Sequence, residues 1–175
     1  MDLKSQLEGK LRGLEKLALS IPGFRGYKEK EIRREADRLL RQHVASTLEE
    51  ACRVLGEVQI TVMTKGKIGL LDDLERAIKK LQNTADRLRT ATYGYSGFFD
   101  AVKIREEELD AIYNFDLSLL EKARAMVAAA QSVKDAADKG DDLIPLINQL
   151  TSEASSLMEI FLKRQEAVMS YKAEG

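Results

Sequence analysis

The strongest constraint on this chain is the length over which its apolar residues keep a helical period. Val44, Leu48, Ala51, Leu55, Val58 and Val62 step by alternating fours and threes, and Leu71, Leu74, Ile78, Leu81, Ala85 and Leu88 repeat the pattern. That spacing places each set on one side of an α-helix and contradicts the strict alternation of a half-buried strand. Only Pro22 and Pro145 interrupt the 175 residues with a proline, so there is little to break long helices.

Five helices follow from the spacing, over about 2–19, 29–63, 68–92, 98–138 and 143–172. The first carries Leu3, Leu7, Leu11, Leu14 and Ala18 on one face, and Ile21-Pro22-Gly23-Phe24-Arg25-Gly26 ends it. Lys65-Gly66-Lys67 turns the second into the third, and Gly94 and Gly97 open the next turn. The fourth shows Leu109, Ile112, Tyr113, Leu120, Ala123, Val127, Ala130 and Ala137; the fifth shows Leu143, Ile147, Leu150, Ala154, Leu157, Phe161 and Val168. Gly140 suits a helix stop, Asp141 or Asp142 a cap, and Pro145 a first helical turn. The expected fold is all-α: one domain over 1–175, an elongated antiparallel up-down bundle of about five helices with coiled-coil-like packing, the first helix folded back along the second.

In an antiparallel hairpin, facing positions share a constant sum of residue numbers. For the second and third helices the value 129 sets Leu55 against Leu74, Ala51 against Ile78 and Leu48 against Leu81. For the fourth and fifth, 280 sets Ala137 against Leu143, Val133 against Ile147 and Ala123 against Leu157. A turn near Tyr95 gives about 190 for the third and fourth, which brings Leu81 to Leu109 and Ile78 to Ile112. Chained together, these registers carry the fourth helix past Gly66 by roughly 15 residues, or about 22 Å at 1.5 Å per residue, unless it breaks near Asn114. A hairpin projecting that far with Ala128, Ala129, Ala130 and Ile147 on it leaves apolar surface to cover. Self-association, with a dimer favoured, is the expected answer.

Asp116 interrupts the fourth stripe between Tyr113 and Leu120, and Arg164 interrupts the fifth between Phe161 and Val168. The value 280 sets them opposite one another. An isolated charge in such a seam is costly and a paired one tolerable, so a buried Asp116–Arg164 ion pair is expected, with a register-fixing role.

Composition narrows the function. The 28 basic and 29 acidic residues nearly cancel, so no global field draws nucleic acid, and no nucleic-acid partner is expected. No run of 18 apolar residues marks a membrane span, and the first twenty residues lack the apolar core of a secretion signal; a cytoplasmic chain is expected. Cys52, the only cysteine, falls among Leu48, Ala51 and Leu55 and reads as a small core residue. A single histidine, His43, with Leu40 three residues before it, cannot supply the Glu-x-x-His pairs of a di-iron bundle. Thr64-Lys65-Gly66-Lys67 lacks the upstream glycine of a phosphate loop, and Glu106-Glu107-Glu108 point in different directions from a helix. No catalytic, metal or cofactor residues are expected, and no enzyme.

Six of the ten aromatic residues lie in two turns: Phe24 and Tyr27, then Tyr93, Tyr95, Phe98 and Phe99. The registers put both turns at one end, beside Arg25, Lys28, Arg33 and Arg34. Aromatic and cationic side chains together suit recognition of a partner, although such rings also plug the open end of a bundle. Residues 21–35 and 93–103 resemble segments of uncharacterised bacterial helical proteins, a resemblance that implies no activity. The expectation is a non-enzymatic interaction or scaffolding protein that self-associates and holds an unknown protein through this aromatic-basic end. The alternative is a peripheral membrane protein anchored by the amphipathic first helix, whose Lys4, Lys10, Arg12 and Lys16 oppose its leucines.

Overall fold

The computed structural model describes residues 3–94 and 96–171, and of residues 6–12 the backbone alone. Its regular elements are all helical: α1 (Leu3–Ser20), α2 (Arg33–Thr64), α3 (Leu71–Thr90), a four-residue α4 (Gly97–Asp100), α5 (Glu106–Lys139) and α6 (Ile144–Ser170). The 3-10 turns Lys30–Ile32 and Ile68–Leu70 lead into α2 and α3. With 32 and 34 residues, α2 and α5 are each about 50 Å long at 1.5 Å per residue.

The apolar stripes face one continuous core. From Val44 to Val62 on α2, from Leu74 to Leu88 on α3 and from Leu143 to Val168 along α6, the stripe residues are buried. Both hairpin registers are visible in individual contacts. Arg41 donates to the Leu88 carbonyl at 2.7 Å, and Cys52 Sγ lies 3.8 Å from the Ile78 carbonyl. Arg164 meets Asp116 at 2.5 Å across α5 and α6. The α5–α6 turn has the expected punctuation. Gly140 takes the left-handed conformation (φ 79°) that lets Asp141 N–H return to the Ala136 carbonyl at 2.9 Å, and Asp142 caps the Ile144 N–H at 3.1 Å.

The arrangement of the hairpins differs from the up-down order expected. α5 packs on α2 as well as on α6, while α3 packs on α6. Near one end Tyr27 meets Tyr113, and at the other Lys65 donates to the carbonyls of Ala137 (2.5 Å) and Asp138 (2.9 Å). α2 and α5 therefore run parallel. The predicted facing of Leu81 with Leu109 and Ile78 with Ile112 is corrected accordingly. The reason lies in residues 91–105: α5 begins at Glu106 rather than near 98, and this connection is long enough to cross the end of the bundle.

The projecting hairpin is corrected with it. Lys67 Nζ reaches the Gly140 carbonyl at 3.4 Å, so the α2–α3 and α5–α6 turns lie flush, and α5 passes Asn114 unbroken. α1 is corrected twice. It packs on α5 rather than along α2, and it buries Leu17, with Leu14 partly covered, while Leu3 and Ala18 are exposed. Leu7 and Leu11 fall among the side chains outside the described residues.

Candidate functional site

The stripes that fill most of the core become polar near the end where α2 begins. Asp116 and Arg164 are both 0% exposed, and the guanidinium Nε donates to Asp116 Oδ1 at 2.5 Å. Arg164 Nη1 donates to the Tyr93 hydroxyl at 2.7 Å, and Nη2 to the Tyr27 hydroxyl at 3.1 Å. The Tyr27 hydroxyl in turn donates to Asp116 Oδ2. Asp37 completes the cluster from α2: its Oδ1 lies 2.8 Å from Arg164 Nη2, close enough for an ion pair but not aligned as a hydrogen bond, and its Oδ2 accepts from Arg41 Nε at 2.9 Å. Two carboxylates and two guanidiniums from α2, α5 and α6 thus cancel inside the core, and the two connections at this end add the phenols of Tyr27 and Tyr93.

Asp37 and Arg41 escaped the sequence reading, although the signal was present. Continuing the α2 stripe below Val44 by its own steps of three and four lands on Arg41 and then Asp37, polar residues at apolar positions as Asp116 is.

Burial governs the titration of these groups. It pushes Asp116 up to about 6, against the opposing pull of Arg164 and of the Tyr27 hydroxyl. It raises Tyr93 to about 12 and Tyr27 well above the ordinary phenol range. For Arg164, burial alone lowers the pKa, but Asp116, Tyr27 and Asp37 hold it well above its usual value. At neutral pH the pair is therefore ionised and both phenols are protonated. Each group faces the others rather than solvent, an arrangement suited to locking α5, α6 and the connections in place.

The expected aromatic-basic surface needs correction, since most of its residues point inward. Phe24, Tyr27, Tyr93, Phe98 and Phe99 are buried in one edge-to-face and stacked cluster, while Tyr95 lies outside the described residues. Arg33 is 0% exposed. Its guanidinium donates to the carbonyls of Tyr27 (2.6 Å), Phe98 (3.2 Å), Ala101 (2.6 Å) and Lys28 (3.3 Å), tying residues 27–28 to the α4 connection. The Phe98 and Ala101 carbonyls would serve residues 102 and 105 in a continuing helix, which explains why no helix runs from 98 into α5. Of the predicted set, Arg25, Lys28 and Arg34 remain exposed. Arg34 spends its guanidinium on the Gly94 carbonyl (3.1 Å), on Asp100 (3.5 Å) and over the Phe99 ring.

The remaining candidates read structurally. His43 is half-buried, and burial together with Arg124 lowers its pKa. Burial pushes the Cys52 thiol up to about 11, and Glu106, Glu107 and Glu108 occupy the first turn of α5, where its dipole favours anions. Among the described residues no three His, Cys, Asp or Glu side chains converge as a metal site, and no helix is long and apolar enough to cross a membrane.

One surface departs from the rest. In a chain with 33% charged residues, α5 carries no charge from Ala125 to Val133. Over Ile144–Met158 α6 carries only Glu153, already paired with Lys122. Ala125, Ala128 and Ser132 are exposed along the outside of α5, and a groove of about 330 Å³ between Ala129, Ser132, Leu146 and Gln149 separates the two helices. No family model, curated protein or solved structure matches the chain.

Proposed function

We propose that this chain is a non-catalytic interaction module, a helical rod that presents the outer face of α5 and its groove with α6 to another protein. The observation behind this reading is the distribution of charge. The buried carboxylates Asp37 and Asp116 are spent on arginines and a phenol in the core, whereas an exposed face some nine residues long on α5 carries no charge. Such a face loses little hydration when covered, and its small side chains let a partner backbone approach closely. A photo-crosslinking residue in place of Ser132 should form protein adducts in intact cells, and the same residue in place of Arg87 on α3 should not. Equal labelling from both positions would remove the reading.

A second reading, attachment to a membrane surface through α1, draws on Leu3 and Leu19, which are 74% and 88% exposed. Co-sedimentation with anionic liposomes that is abolished by Leu19→Glu would favour it over the first.

A further inference from the structure

The charges that bracket the uncharged stretch of α5 have an order that bears on what covers it. Reading along the exposed side of the helix, Glu121 and Arg124 precede Ala125, Ala128 and Ser132, and Asp135 and Lys139 follow them; all seven are exposed. The order is acid, base, small uncharged residues, acid, base. A two-fold axis through the middle of the stretch, between Ala129 and Ala130, runs α5 of one molecule antiparallel to α5 of another. Position 124 then falls opposite 135, and position 121 falls opposite 138, one residue before Lys139. Arg124 meets the second copy's Asp135, and Glu121 meets its Lys139, twice each by symmetry.

From this charge complementarity, we infer that the outer face of α5 is the contact between two antiparallel copies of this chain. The inference rests on the reading of that face as an interaction surface and commits it to one occupant. A parallel pairing in register would set like against like at all four positions. A partner with an ionised side chain at the centre would have to strip water from it against Ala125, Ala128 and Ser132, which offer no counter-charge. A second copy avoids both penalties.

The face is modest in size. From Glu121 to Lys139 it is about 28 Å long at 1.5 Å per residue, and a helix with its flanking side chains is about 10–12 Å wide. The resulting footprint, on the order of 300 Å² before the adjoining edges of neighbouring helices are counted, falls short of the roughly 800 Å² per partner of a standard interface. The dimer should therefore be reversible, with a dissociation constant in the micromolar range.

Sedimentation equilibrium on the full chain tests this. The wild type should show a monomer–dimer equilibrium; Arg124→Glu should weaken it at least tenfold; and Arg124→Glu with Asp135→Arg should return it to within about threefold of wild type. The pair Glu121→Lys and Lys139→Glu gives an independent cycle should the first set lose helicity. Wild type that stays monomeric to about 300 µM, well above a micromolar constant, overturns the inference. So does a dimer indifferent to Arg124→Glu, or one that the double change fails to restore. Photo-crosslinking from Ser132 separates the two levels. Adducts of two chain masses from purified protein support the second copy. Adducts only with a different protein overturn it while sparing the face as an interaction surface, and no adduct from any source overturns both.

Discussion

Replacing Arg164 by leucine removes a cation that touches both Asp116 and Asp37. The residues exchange little volume, but two carboxylates at 0% and 2% exposure lose their shared partner. Breaking a buried pair in this way costs about 3–5 kcal/mol, against well under about 1 for an exposed pair. The cost has a ceiling, because the folded variant can protonate Asp116 instead. At pH 7, protonating a carboxyl of ordinary pKa costs about 4 kcal/mol, from roughly three pH units at 1.36 kcal/mol each. The same route makes the penalty depend on pH. In the wild type, Asp116 already has a folded pKa raised to about 6, so this group's contribution to stability is full below the ordinary carboxyl range and is lost as pH rises through 6. Without Arg164 that pKa rises further, and the variant gains about 3 kcal/mol between pH 7 and pH 5, where the wild type gains about 1. Urea unfolding followed by far-UV circular dichroism should therefore show a loss of about 3–5 kcal/mol at pH 7, smaller by about 1–2 kcal/mol at pH 5. A loss under about 1 kcal/mol at pH 7, or one that fails to shrink at pH 5, would refute the buried network.

Four further outcomes follow from single positions. Arg33→Ala leaves four carbonyls without their donor and should cost about 2–4 kcal/mol; hydrogen exchange should show faster opening of residues 27–32 and 98–104, and Arg33→Lys should not rescue it, lacking the fork that spans both connections. Gly26→Ala should destabilise by more than about 1 kcal/mol, because φ is +83° and the added methyl meets the Tyr113 hydroxyl. Gly56→Ala, with open space at the Cβ position inside α2, should instead raise stability by about 0.5–1 kcal/mol in the same unfolding assay. Cys52, its thiol pushed up to about 11, holds on the order of 0.1% thiolate at pH 8 and should react with iodoacetamide far more slowly than free cysteine, quickening about tenfold per pH unit.

How much of this was legible in the sequence depended on the range of the interaction. The two hairpins were, because heptad spacing is local and each register repeats over several turns. The Asp116–Arg164 pairing followed from the same arithmetic, since both residues break stripes whose partners are one turn away in topology. The connection of residues 91–105 was not, because its irregularity comes from Arg33, some 65 residues earlier, capturing the Phe98 and Ala101 carbonyls. The lateral order of the hairpins was lost with it: periodicity tells which side of a helix is apolar but not which neighbour covers it. For the aromatic end, composition located the rings and the cations, and only packing decides that Tyr27 and Arg33 turn inward while Arg25 stays outside.

The parallel pairing of α2 with α5 carries a consequence for how the chain reaches this state. Contacts within either hairpin join residues connected by a tight turn, and can form as soon as that turn closes. Contacts between α2 and α5 join residues some 70 to 90 positions apart, as Lys65 with Ala137 and Tyr27 with Tyr113 illustrate; their closure entropy must be met before any of them contributes. The α2–α3 and α5–α6 hairpins should thus assemble early and separately, and the barrier should lie at their docking. The polar network is completed only at that step, since Arg164 and Asp116 belong to one hairpin, Asp37 and Arg41 to the other, and the Arg164–Asp37 pair joins them. Substitutions within a hairpin seam should slow folding, whereas loss of Asp37 should chiefly speed unfolding, so that the charges buried at the base of the rod act as its kinetic clasp.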